Sequence, residues 1–146
     1  MKLTVGICSK DRFLQLQRCL QSLMNQSDQI DKIILVEDIS DTQFSSQVFL
    51  QQFFPNFKKT QLAYFPVTFR NIARSRSLLL NKVNEGLLVF IDDDVVVGRN
   101  SLKKVRETIK KNPKTALLTG RVLPLNPANT TSQLDYVYFS QDTINY

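Results

Sequence analysis

The chain opens on an apolar, β-rich run, Lys2–Ile7, that breaks at "CSKDR". Leu16, Cys19, Leu20 and Leu23 then recur at helical spacing within Phe13–Asn25. "KIILVEDIS" predicts a second strand, and its apolar run is continuous rather than alternating, the pattern of a strand covered on both faces of a parallel sheet. Asp41 or Thr42 is placed to cap a helix through Val48–Phe54 that Pro55 stops, and "QLAYFP" supplies a short third strand. A helix from about Asn71 to Asn84 is next, followed by a fourth strand at Gly86–Ile91. Asn100 or Ser101 caps a basic helix ended near Asn112-Pro113, and Ala116–Thr119 reads as a fifth strand. Past "TGRVLPLNP" the pattern fades into a polar, unassigned tail.

Strands alternating with helices predict an α/β fold, a Rossmann-like, mostly parallel sheet with flanking helices and right-handed crossovers. Ligands bind beyond the carboxyl ends of the strands in such sheets, and "CSKDR", Glu37-Asp38 and Asp92–Asp94 all fall there. The stretch "LLVFIDDDVVVG" runs a buried-looking strand into three adjacent carboxylates, which repel one another and are costly to desolvate unless compensated. A hard divalent cation, which takes oxygen ligands and bridges to substrate phosphates, would satisfy them. A solvated polar turn is the plainer account. If the strand continued, Asp92 and Asp94, spaced i and i+2, would point the same way. Arg76 falls in one helical stripe with Ile72, Leu79, Leu80 and Val83. It reads either as an anion contact in the first turns of the helix or as a snorkelling side chain paired with one of the acids.

Composition narrows the class without changing that picture. A chain of 146 residues, 42% hydrophobic and 22% charged, fits one ordinary domain with a genuine core. The start "MKLTVGIC" lacks a charged-then-apolar leader, and no apolar stretch approaches the ~20 residues that cross a bilayer. A cytoplasmic location is expected, with membrane association as part of a longer protein left open. Cys8 and Cys19 read as buried thiols rather than a disulfide, and without His or a close Cys pair no zinc site is expected. The net charge of +6 gathers at Lys103, Lys104, Arg106, Lys110, Lys111 and Lys114 on one predicted helix. That cluster reads as a solvated face, or as a surface for a phosphate-bearing substrate or for peripheral contact with a membrane, and nucleic acid is not an expected partner.

Four segments, "TVGICSKDR", "ILVEDISD", "NIARSRSLLLNKVNEGLLVFIDDDV" and "LLTGRVLP", occur in an order and spacing that resembles the nucleotide-sugar half of the family 2 inverting glycosyltransferases, which have the GT-A fold. The resemblance covers about Lys2–Leu125. It implies metal-dependent transfer of a sugar, with inversion, from a nucleotide-sugar donor, a UDP-sugar, to a saccharide or lipid-linked acceptor, with Mn²⁺ or Mg²⁺ as cofactor. Residue by residue, it implies that Asp38 hydrogen-bonds the uracil ring, that Glu37 matches the preceding acid of the same turn, and that Arg76 lies near the nucleotide. It gives Asp92 a ribose or metal contact and Asp94 metal coordination, places Thr4–Ser9 as the strand and loop beneath the base, and adds Ser9, Asp11 and Asp93 to the nucleotide-sugar-binding set. Ile39 stands where that turn usually has Gly or Asn, and Ser77 and Leu79 replace the familiar Asn and Gly after Arg76, departures that bear on donor identity.

The resemblance also divides the chain into a nucleotide-sugar-binding region, 1–125, and a remainder, 126–146, that is a polar tail or the start of an acceptor-binding half. The family's acceptor-side acids, including its catalytic base, lie well beyond the strand that "LLTGRVLP" resembles. Asp135 and Asp142 have no family match, so the base is unassigned and the chain looks truncated. Donor binding without transfer is expected of it. Two other readings stay open. One is a non-catalytic module that holds nucleotide and metal. The other is a haloacid-dehalogenase-like phosphatase with Asp92 as nucleophile and Asp94 as acid/base, although that fold carries its motif on the first strand and this chain has it on the fourth.

Overall fold

The uninterrupted apolar run Ile33–Val36 occupies the middle of a sheet and is buried along its whole length. The computed structural model describes residues 1–41, 45–57 and 59–120. In it β1 (Leu3–Lys10), α1 (Phe13–Met24), β2 (Lys32–Asp38), α2 (Gln47–Phe53), β3 (Gln61–Val67), α3 (Ile72–Leu80), β4 (Leu87–Asp92) and α4 (Ser101–Lys111) alternate as the pattern of the sequence requires, with a 3-10 turn at Phe54–Phe57 carrying Pro55. The strands lie in the order β3-β2-β1-β4 and every pairing is parallel. This is the α/β, Rossmann-like sheet with flanking helices of the GT-A class. β1 and β2 are central, which is why they are apolar on both faces.

Two compact units divide the chain, Met1–Leu102 and Lys103–Tyr146. The sheet and α1 to α3 belong to the first. On one side of its sheet, Leu3, Val5 and Ile7 of β1 and Ile33 and Leu35 of β2 pack with Leu16, Cys19, Leu20 and Leu23 of α1 and Leu50 of α2. Each such Leu, Ile or Val contributes about 1.5–3 kcal/mol on burial, so α1 is firmly anchored. The other side is smaller, Ile34 and Val36 of β2 against Leu79 of α3, with Phe65 and Leu88 around them. Strand alternation turns Gly6 toward α3, and a Cβ there would lie 2.5 Å from Leu79 Cδ2. The missing side chain lets α3 settle directly on β1. Gly86, at φ +86°, turns the chain into β4 where a Cβ would meet the Lys2 carbonyl oxygen at 2.5 Å.

Four expectations are corrected. α3 ends at Leu80 instead of Asn84, because Lys82 and Val83 donate to Leu79 and Leu80 and tighten the chain into i→i+3 turns. Its buried line is Ser75 and Leu79, while Ile72, Arg76 and Leu80 are exposed. A small Ser packs where the stripe proposed an Arg. The N-cap of α2 is Ser46, not Asp41, whose carboxylate pairs with Lys10 and Arg70 instead, and Thr42 lies outside the described residues. Ala116–Thr119 forms no strand, and Leu117 and Leu118 are exposed. A run of four residues gains ladder bonds only against a partner, and the second unit offers none among the described residues. The tail 126–146, with Asp135 and Asp142, lies outside the described residues. No helix among those described is long and apolar enough to cross a membrane.

Candidate functional site

The register of the sheet sets Cys8 beside Asp92, Ser9 beside Glu37, and Lys10 beside Asp38, so polar residues line up where the strands end. The pleat then sorts them between the faces. Glu37 continues the Ile33–Leu35 side and faces α2. Its Oε2 accepts from the Ser46 N–H at 2.9 Å and from the Tyr64 hydroxyl, and its Oε1 accepts from the Ser46 hydroxyl. Glu37 therefore ties the entry of α2 to the sheet. Burial, then the bond to Glu37, pushes the Tyr64 hydroxyl pKa up.

Asp38 continues the Ile34–Val36 side and faces α3. The Ser40 N–H donates to its Oδ1 at 3.0 Å and the Arg70 N–H to its Oδ2 at 2.5 Å. Arg70 adopts φ +49°, a left-handed conformation that costs a non-glycine residue energy and that the Asp38 bond helps to hold. Burial pushes the Asp38 carboxyl up, but hydrogen bonds from Ser40 and Arg70 and the charge of Lys10 outweigh it and hold the pKa below the ordinary carboxylate value.

The three consecutive acids are divided in the same way. Asp92 ends β4 in phase with Leu88 and Phe90, toward α3, and its Oδ1 accepts from Arg76 Nη2 at 3.2 Å. Asp93 turns inward, 4% exposed, and accepts from Ser9 Oγ at 2.7 Å and Arg12 Nη1 at 3.3 Å. Asp94, in the turn beyond the strand, accepts from the same Arg12 nitrogen at 3.0 Å. The strand stops at Asp92, so the pleat does not place Asp92 and Asp94 on one side; each meets a different arginine. Compensation comes from the chain itself.

These groups surround a cavity of about 460 Å³, walled by Cys8–Lys10 and Arg12, by Asp38, by Arg70–Ile72, Ser75 and Arg76, and by Asp92–Asp94. Ser9, Asp38, Arg76, Asp92, Asp93 and Asp94 are thus brought together as the sequence suggested. Asp11 and Glu37 are not among the lining residues. Asp11 adopts φ +54° and turns β1 into α1, while Glu37 is committed to α2. Sequence reasoning missed Lys10, Arg12, Arg70 and Asn71. Arg12 had a signal, a basic residue between a strand's carboxyl end and a helix start, and so had Asn71, the N-cap whose side chain accepts from the Arg74 N–H at 3.1 Å. Arg70 had none, because its place depends on a backbone bond to a residue far away in sequence.

Both cysteines are free. Cys8 reaches the cavity and burial raises its thiol pKa, while Cys19 beneath is pushed up to about 12 by burial and then by the carboxylates of Asp93, Asp94 and Asp92. Among the described residues no cluster of three or more ligating side chains exists that could hold a metal ion by itself. The exposed carboxylates of Asp92 and Asp94 are hard oxygen donors that suit a cation shared with a phosphate.

A parallel α/β sheet with a charged cavity at its carboxyl edge has the arrangement of the Rossmann-like class, in which ligands bind at that edge. Residues 4–140 match glycosyl transferase family 2, and the chain belongs to that family. No curated protein is matched by sequence. Among solved structures, residues 1–349 of S. aureus TarS superpose with a TM-score of 0.64 at 16% identity, over 85% of this chain and 38% of that one. The same region of TarS in complex with UDP-GlcNAc gives a TM-score of 0.63 at 16% identity, over 85% and 37%. Its complex with UDP gives 0.63 at 16%, over 85% and 38%. The likeness is one of fold, and this chain spans about two fifths of that TarS region.

Proposed function

We propose that this chain is the donor-binding part of an inverting glycosyltransferase that takes a UDP-sugar together with a divalent cation, Mn²⁺ or Mg²⁺, and serves a saccharide or lipid-linked acceptor. The observation that carries the reading is the cavity at the sheet's carboxyl edge in a family 2 chain, which Asp38, Arg76 and the Asp92–Asp94 turn line together. The complexes of TarS with UDP-GlcNAc and UDP support the choice of donor. Asp38 keeps unused lone pairs on both carboxylate oxygens and accepts the uracil N–H, with Ser9 and the end of β1 beneath the base. Arg76 meets the nucleotide and holds Asp92 in place.

The charges lining the cavity support the metal. Lys10, Arg12, Arg70 and Arg76 balance Asp38, Asp92, Asp93 and Asp94, four against four. A diphosphate entering this balanced set brings negative charge that nothing present offsets, so it is best received with a divalent cation. Asp94 and Asp92 would hold that cation jointly with the diphosphate oxygens. When bound, it offsets the charge that develops on the departing diphosphate. Among the described residues the same pairing leaves no carboxylate in the cavity free to take a proton from an acceptor hydroxyl, which supports donor binding without transfer by this chain alone. The phosphatase reading gives way to the family match. We place the protein in the cytoplasm, with the exposed Lys103, Lys104, Lys110 and Lys111 of α4 suited to contact with an anionic membrane surface.

Calorimetric titration of the chain with UDP and UDP-GlcNAc, in Mn²⁺ and in EDTA, tests the reading. Saturable binding of UDP that tightens in Mn²⁺ is expected. Absence of binding in both buffers would overturn it.

A further inference from the structure

Arg12 holds two of the three acids, yet its side chain is half exposed at the cavity wall and nothing in the family resemblance gives it a role. We infer that Arg12 is a phosphate-binding residue that is exchanged during donor binding: it neutralises Asp94 while the cavity is empty, and contacts the donor's diphosphate once a divalent cation has taken over Asp94. The inference rests on the donor reading above and adds to it the residue that receives the charge released when the cation binds.

Three observations carry it. One guanidinium nitrogen, Nη1, serves both Asp93 Oδ1 at 3.3 Å and Asp94 Oδ2 at 3.0 Å, which leaves other N–H donors of the fork for an incoming anion. The two acids are not equivalent. Asp93 is buried and has a second donor, Ser9 Oγ at 2.7 Å, so it stays satisfied when Arg12 shifts. Asp94 is half exposed and pairs with Arg12, so this is the bond that a cation replaces at little cost, since an exposed ion pair is weak. Finally, Arg12 is the N-cap residue of α1 and its side chain makes no capping hydrogen bond. It sits where the chain, turned by Asp11 at φ +54°, leaves β1 and enters the helix, so its charge and the α1 N-terminus add at one edge of the cavity.

The exchange balances in charge. Before binding, Arg12 faces Asp94. Afterwards the divalent cation faces Asp94 and the diphosphate, and Arg12 faces the diphosphate. Asp93 gives up the longer of the two Arg12 bonds and keeps the Ser9 hydroxyl, and a neutral nucleoside, lacking the diphosphate, does not trigger the exchange.

The test titrates the full chain and its Arg12→Gln and Arg12→Lys variants with UDP, with uridine and with Mn²⁺ alone. For Arg12→Gln the expected result is UDP affinity in Mn²⁺ weakened roughly tenfold, the loss of one charge-assisted bond, with uridine affinity unchanged. Affinity for Mn²⁺ alone should be equal or tighter, because a competing cation has gone. Arg12→Lys should recover part of the UDP loss, since charge is kept and the fork is not. Equal losses for UDP and uridine, or weaker binding of Mn²⁺ alone, would mean that Arg12 merely buttresses the acid turn and would overturn the inference. So would UDP binding within twofold of the wild type. Should Arg12→Gln fail to fold, the comparison of UDP with uridine is made on Arg12→Lys, where equal losses again count against the exchange. If the wild-type chain binds neither UDP nor uridine, it is the donor reading that fails, a result distinct from a loss confined to the variants.

Discussion

A carboxylate that accepts two backbone N–H bonds is a different reagent from one that faces an arginine, and the acids of this cavity include both kinds. Asp38 is held by Ser40 and Arg70 and its pKa is depressed. A depressed folded pKa contributes stability that is present above the unfolded value of ~3.9 and is lost as the pH falls through the folded pKa. Asp38→Asn removes that contribution and sets an amide against two N–H donors, a change worth about 1–3 kcal/mol. Urea midpoints should therefore differ clearly at pH 7 and converge as the pH is lowered below the carboxylate range; a gap that stays constant with pH would show that Asp38 is not stabilised as an anion. Asp94 answers to another test. Its proposed role is with the cation, so Asp94→Asn should weaken UDP binding in Mn²⁺ and not in EDTA, whereas Asp38→Ala should weaken uridine and UDP alike. Cys8 reports on the same space from beneath. Alkylation at pH 8 should modify Cys8 slowly, more slowly still with UDP bound, and reach Cys19 only on unfolding, because the Cys19 thiol is buried and its pKa is about 12.

At the scale of elements, the contact between α3 and β1 decides where Arg76 can reach. Leu79 lies flat over Gly6, and that close approach brings the N-terminal turns of α3 to the end of β4, where Arg76 meets Asp92. Gly6→Ala puts a Cβ into the Leu79 side chain in a filled core and should cost about 1–3 kcal/mol. Leu79→Ala alone should cost about 2–5 kcal/mol. The double variant should be less destabilised than the sum, with a coupling of about 0.5–3 kcal/mol measurable in a double-mutant cycle, and simple additivity would show that the two do not share this space. The strands were legible in the sequence because β1 and β2 need apolar residues on both faces, and continuous runs such as "KIILV" have few other solutions. The inward face of α3 was not. Periodicity fits Ile72–Arg76–Leu79 as well as Ser75–Leu79, and only the glycine opposite, on another strand, selects the second. The division of Asp92, Asp93 and Asp94 between two arginines was hidden for a similar reason. The pleat separates Asp92 from Asp93, but the strand's end, which frees Asp94 to meet Arg12, is fixed by tertiary contacts and not by the run of Asp itself.

For the whole molecule, the question is whether a chain that spans 38% of the TarS region it superposes on can complete a glycosyl transfer. Inverting transfer needs an acceptor hydroxyl aligned on the anomeric carbon and a base within about 2.6–3.2 Å of it, and a positioned base contributes 10²–10⁴-fold. Among the described residues every carboxylate lining the cavity is already engaged: Asp92 by Arg76, Asp93 by Ser9 and Arg12, Asp94 by Arg12, and Asp38 by two backbone N–H groups. Glu37, the other buried acid nearby, is bonded to Ser46 and Tyr64 on the opposite face of the sheet. Recruiting one of them as a base would leave a paired arginine unmatched, take Asp38 from the backbone N–H groups that hold it, or release α2 from the sheet. Water needs no acceptor cleft and no alignment beyond diffusion, so slow hydrolysis of the bound donor can survive where transfer does not. A product assay with UDP-GlcNAc over saccharide and lipid acceptors should therefore show donor hydrolysis without acceptor glycosylation for residues 1–146. Acceptor glycosylation by residues 1–146 would place the base within this sequence and would end the division between donor and acceptor halves.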